Sequence, residues 1–250
     1  MRHRNKLTAV ILGLCSIAAL SDALAQPWSK KPQADQKSAE ESGSIEAIAG
    51  VGVQIKNAKS ETWNLAVSPD STVSVTGTAA PEYLKAGMTV KFTAEVDGTG
   101  AMQGEIEELE IFTPAGKNSL GLFATGGGDD AKPVKKLEAG TYDIKAKIAS
   151  YKDGVLTVVA GGKKISGKVA ADPKIAVNLS DLSVAQVGDS VTAKIWYTDQ
   201  TKAEAGKTIG KGMAEEITVT LTNPLAPAKK GRAAKNASKE KKASASFDSK

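Results

Sequence analysis

The 250-residue chain has one cysteine, Cys15, and one histidine, His3, both near its N-terminus. Aromatic residues are 4% of the chain although hydrophobic residues are 41%. Each shortage excludes something. Once the N-terminal segment is removed, the rest cannot supply a disulfide, a thiol nucleophile, a Cys/His zinc site, a Ser-His-Asp triad or an imidazole acid–base group. Any core has to be assembled from Val, Ile, Leu and Ala, with Trp63, Phe92, Phe112, Tyr142 and Trp196 as its few large fillers.

The segment that carries both residues has the layout of an export signal. Arg2, Arg4 and Lys6 form a basic start, residues 7–20 an apolar run, and Ala23-Leu24-Ala25 a small-residue cleavage site before Gln26. The sequence therefore predicts a cleavable signal peptide over residues 1–25 and an exported chain, periplasmic or secreted, with no integral membrane span after cleavage. A retained anchor is the alternative, but the run is shorter than the roughly 20 residues that a spanning helix needs. A lipid-attachment site would want a small residue directly before Cys15, where Leu14 stands.

Two matched stretches organise the remainder of the chain. Residues 83–96 (YLKAGMTVKFTAEV) and 184–197 (VAQVGDSVTAKIWY) each pass through a glycine, Gly87 or Gly188, that closes a turn. Each then runs into an alternating strand, Val90, Phe92, Ala94, Val96 in one copy and Val191, Ala193, Ile195, Tyr197 in the other. Residues 26–43, a polar mixture without periodicity, read as a disordered spacer. Residues 44–114 read as five or six short strands with a turn at Pro69-Asp70-Ser71, and residues 115–139 as a Gly-rich connector whose Leu120, Leu122 and Phe123 dock on a neighbouring surface. Residues 140–224 repeat the first pattern, with hairpin turns at Asp153-Gly154 and Gly161-Gly162.

Short strands meeting at glycine-led turns suggest closure, which removes unpaired edges. The expected fold class is all-β: two tandem small β-barrels between the signal peptide and a disordered C-terminal tail, with a β-sandwich as the alternative to barrel closure. The element order, three strands, a short turn or helix at Glu82-Tyr83-Leu84 or Asp181-Leu182-Ser183, then the Gly-led strand, resembles the OB-fold barrels of bacterial exported proteins. That resemblance covers residues 44–114 and 140–224 and implies OB-like barrels.

The formal net charge of +5 conceals an uneven distribution. The tail, residues 225–250, sets eight basic residues against Glu240 and Asp248, and the signal segment is also basic, which leaves residues 26–224 mildly acidic. Lys229, Lys230, Arg232, Lys235, Lys239, Lys241 and Lys242 are candidates for polyanion contact by charge alone, with nucleic acid, anionic lipid or a wall polymer as partner. The barrels themselves lack the positive groove and aromatic platforms that grip single-stranded nucleic acid.

Candidate chemistry is sparse. Glu105, Glu107, Glu108 and Glu110 form a dense carboxylate group; alternation places Glu108 and Glu110 opposite Leu109 and Ile111, on a solvated face. Glu215 and Glu216 recur near the matching strand. Asp129-Asp130 lacks the spacing of a calcium loop, and the preceding glycines lack the Gly-Lys-Ser/Thr ending of a phosphate cradle. The expectation is a non-enzymatic binding or structural protein of the cell envelope, with no catalytic or metal residues and no cofactor, acting on a protein partner or envelope component.

Overall fold

Both glycine-led stretches become strands, and each strand pairs with the opposite repeat. A computed structural model describes residues 36–116, 119–126, 132–198 and 209–227. The signal segment, residues 26–35 of the spacer, Asp129-Asp130 and all seven polyanion candidates of the tail lie outside the described residues.

The described chain is all-β. Its strands are β1 (Lys37–Ala49), β2 (Gly52–Asn57), β3 (Thr62–Thr78), β4 (Thr89–Val96), β5 (Ala101–Phe112), β6 (Gly121–Ala124), β7 (Gly140–Lys152), β8 (Val155–Ala160), β9 (Lys163–Leu179), β10 (Ser190–Tyr197) and β11 (Ile209–Thr220). All eleven belong to one hydrogen-bonded sheet, and the only helical turn among the described residues is a single 3-10 turn at Pro81–Tyr83.

With β6 set aside, the strand lengths 13, 6, 17, 8 and 12 occur twice in the same order, in β1 to β5 and in β7 to β11. The irregularities recur as well. The β1–β2 ladder slips between Ile45 and Ala47, and the β7–β8 ladder between Ile148 and Ser150. A larger bulge separates Val67 from Thr72 opposite Ala214 and Glu216, and its counterpart separates Val169 from Lys174 opposite Ile106 and Glu108. Bulges are specific features of a ladder, so their double occurrence is a stronger sign of duplication than matching composition.

The pairings trace two five-strand circuits. One runs β1–β2–β3–β11–β10 and returns to β1; the other runs β7–β8–β9–β5–β4 and returns to β7. Within each, the β3–β11 or β5–β9 contact is parallel and the rest are antiparallel. Each circuit thus takes three strands from one repeat and two from the other. The circuits meet where β3 and β9 pair antiparallel, Val75 opposite Leu179 and Gly77 opposite Val177.

Alternation accounts for the inside faces. Tyr142, Ile144, Ala146 and Ile148 of β7 point inward, as do Leu156, Val158 and Ala160 of β8 and Val191, Ala193 and Ile195 of β10. Of the expected large fillers, Trp63, Phe92 and Tyr142 are buried, whereas Phe112 and Trp196 are only half-buried. Asp153 and Gly154 both have positive φ, the conformation that their two-residue hairpin demands.

Several sequence expectations need correction. Residues 37–43, read as spacer, are the first half of β1 and pair with β10 from Lys37–Tyr197 to Gly43–Val191. This polar stretch is held by a backbone ladder, not by apolar alternation. Pro69-Asp70-Ser71 does not end a strand. Residues 68–71 bulge out of the ladder, so the missing N–H of Pro69 costs no pairing, and the Ser71 hydroxyl closes the bulge by donating to the Ala214 carbonyl at 2.6 Å while accepting from the Ser68 N–H. Leu225, assigned to the tail, is buried; its N–H donates to Thr78 O and its carbonyl accepts from Ala80 N. The connector does dock: β6 pairs with β7, burying Leu122 and Phe123.

Candidate functional site

On the outer face of the second circuit, β5 departs from β4. The two pair at Lys91–Glu110 and again at Glu95–Gln103, so three residues of β4 lie opposite six of β5. Beside this irregularity is a groove of about 690 Å³. Its floor and walls come from Lys91 and Thr93 of β4, Glu105 and Glu107 to Glu110 of β5, Phe123 of β6, Asp143 and Lys145 of β7, and Lys174 of β9.

Ion pairs line one side. Lys91 Nζ lies 2.9 Å from Glu110 Oε2, and Lys174 Nζ donates to Glu108 Oε1 at 3.1 Å. On the other side Asp143 accepts from the Thr93 hydroxyl at 2.7 Å and from the Gly126 N–H at 3.3 Å, and the Lys145 ammonium sits 5.3 Å from the centre of the Phe123 ring. Acceptor capacity remains. Glu110 Oε1 is buried without a hydrogen-bond partner, and the exposed Glu105 and Glu107 form no hydrogen bond or ion pair among the described residues. A buried acceptor such as Glu110 Oε1 is costly unless a donor arrives, whereas the two exposed carboxylates are solvated.

The carboxylate group singled out in the sequence therefore lines one groove, with Leu109 and Ile111 buried behind it as alternation required. Glu215 stands apart on β11, paired with Lys194 at 2.9 Å. No group of three or more His, Cys, Asp or Glu among the described residues is arranged to hold a metal ion. Phe123 is expected from sequence only as a docking residue of the connector, and Lys91, Asp143, Lys145 and Lys174 carry no sequence signal for a site. The five belong to four different strands, and no local spacing links them.

The nearby Asp97 turn is a local structural device. Its carboxylate accepts from the Thr99 hydroxyl at 2.7 Å and from the Ala101 and Thr99 N–H groups, and these bonds, the hydroxyl first, hold it below the usual carboxylate range. The chain matches no family model, no curated protein and no solved structure.

Proposed function

We propose that this chain is an exported, non-enzymatic binding protein of the cell envelope, built on two OB-like barrels that exchange their closing strands, and that its groove takes a basic segment of a partner protein. The five-strand circuits support the barrel reading. The observation that carries the binding reading is the buried, unpartnered Glu110 Oε1 in a groove that the exposed carboxylates of Glu105 and Glu107 and the Phe123 ring also line. A lysine- or arginine-bearing segment supplies donors to the carboxylates and an alkyl stem to the ring.

Calorimetric titration of residues 26–250 with a basic peptide, and with an acidic peptide of the same length, tests this. The expected result is salt-sensitive binding of the basic peptide alone, weakened about tenfold or more by Glu105→Gln with Glu107→Gln, since hydrogen bonds to charged groups contribute about 1.5–3 kcal/mol each. Equal binding by the variant overturns it, as does a hydrolytic activity that is lost when one carboxylate or serine is substituted.

The second reading, polyanion binding through Lys229, Lys230, Arg232, Lys235, Lys239, Lys241 and Lys242, rests on their concentration in the basic tail. Binding of single-stranded DNA at low and high salt, beside a version ending at Pro227, tests it. That end point keeps the buried Leu225 in place.

A further inference from the structure

The outer face of β7, β8 and β9 carries Lys147, Lys152, Lys164 and Lys168, all exposed. Cross-strand register sets them in two rows. Lys147, Val159 and Lys164 lie side by side, and so do Lys152, Val155 and Lys168, with Thr157 and Ser166 between the rows. Strand spacing and rise put the four Cα atoms at the corners of a rectangle of about 10 by 13 Å. Val155 and Val159, in the middle of the rows, are 40% and 39% exposed, two of the four large hydrophobic residues exposed among the described residues. Lys147, Lys164 and Lys168 make no ion pair among those residues, and Lys152 approaches only Asp153, at 3.9 Å.

The duplication supplies an internal control. In the first circuit the same register positions read Ser44, Lys56, Thr62 in one row and Ala49, Gly52, Ala66 in the other. Its one basic residue, Lys56, is paired with Glu46 at 3.5 Å. The fold therefore builds this face with a single lysine, already paired to a carboxylate, and with no valine at these six register positions. What the second circuit adds is not needed for pairing or for the core.

We infer that the β7–β8–β9 face docks on an anionic lipid bilayer. Four ammonium groups spread over an area and surrounding exposed valines match a plane of negative headgroups above an apolar layer. A single nucleic-acid strand needs a track and stacking platforms. This face offers neither, since its one nearby aromatic, Tyr151, packs against the core.

The test is co-sedimentation of residues 26–250 with vesicles of phosphatidylglycerol and phosphatidylcholine in a one-to-two ratio, and with pure phosphatidylcholine, at low and physiological salt. The variant carries Lys147→Ser, Lys152→Ala, Lys164→Thr and Lys168→Ala, the residues that the first circuit holds at the same positions, with the basic tail intact. The expected result is salt-sensitive partitioning onto the anionic vesicles alone, reduced at least tenfold in the variant with its unfolding midpoint retained, and reduced to a lesser extent by Val155→Ser with Val159→Ser. Lys147→Gln with Lys164→Gln serves as the milder variant if the fourfold one fails to fold. Unchanged partitioning of the variant assigns binding to the tail and overturns the inference. Absence of partitioning overturns it too, as does tighter binding of single-stranded DNA than of vesicles that depends on these same lysines.

Discussion

Gly87 donates its backbone N–H to the carbonyl of Ile148 at 2.8 Å, and Gly188 makes the same bond to Ile45 at 2.8 Å. Return bonds run from Ile148 N to Met88 O and from Ile45 N to Asp189 O. In each case the glycine belongs to one repeat and the isoleucine to the first strand of the other, at the residue where that strand's ladder slips. The repeated turn is a clasp between repeats, formed twice in reciprocal fashion.

Gly87 and Gly188 have φ of 97° and 95°, and a Cβ at either would meet nothing within 4 Å. The requirement for glycine is thus one of backbone conformation, not of space. Gly87→Ala and Gly188→Ala are each expected to destabilise the fold by about 1–2 kcal/mol, and by similar amounts. Urea unfolding of the two variants checks this; a large inequality would mean that the two clasps differ in weight.

Exchange of strands predicts what a cut in the connector does. With residues 127–130 replaced by a protease site and then cleaved, the fragments carrying β1 to β6 and β7 to β11 should stay associated. Four ladders cross between them in the circuits, β1–β10, β3–β11, β4–β7 and β5–β9. Native gel filtration should give one peak at the uncut position, resolved into two only in denaturant. Separation under native conditions would show that each repeat closes on itself.

Asn57 is buried where β2 ends. Its side-chain oxygen accepts from the N–H groups of Lys59 and Glu61 at 3.0 and 2.9 Å, and its amide donates to Glu41 and Glu61, both at 2.9 Å. Asn57→Asp replaces the donor with a third carboxylate. The expected cost is about 1–3 kcal/mol at neutral pH. Thermal melts of the variant beside the natural protein at neutral pH measure it.

Much of the strand content was legible because its signal is local. Val90, Phe92 and Val96 alternate inward as their spacing implies, and so do Val191, Ala193 and Ile195. The Asp153-Gly154 hairpin was readable from two residues. Residues 37–43 were not readable, because a polar strand paired to a distant one carries no apolar period. The groove was half legible. Glu105 to Glu110 are contiguous, but Phe123, Asp143 and Lys174 reach them only through strand pairing.

Alternation and turn chemistry act within a few residues, so the order of amino acids alone sets where the apolar strands run, which of their faces turn inward and that the pattern occurs twice. Which copy completes which circuit is a matter of the folded chain. The two copies have equal strand lengths and matching slips, so a self-closed and an exchanged arrangement would use the same kinds of ladder, and backbone hydrogen bonds do not distinguish one copy from the other. What differs is where the chain goes after β3. The end of β3 lies against β9, Thr78 opposite Ala176, and Ala79 N donates to Ile175 O, so the next segment emerges already on the second circuit.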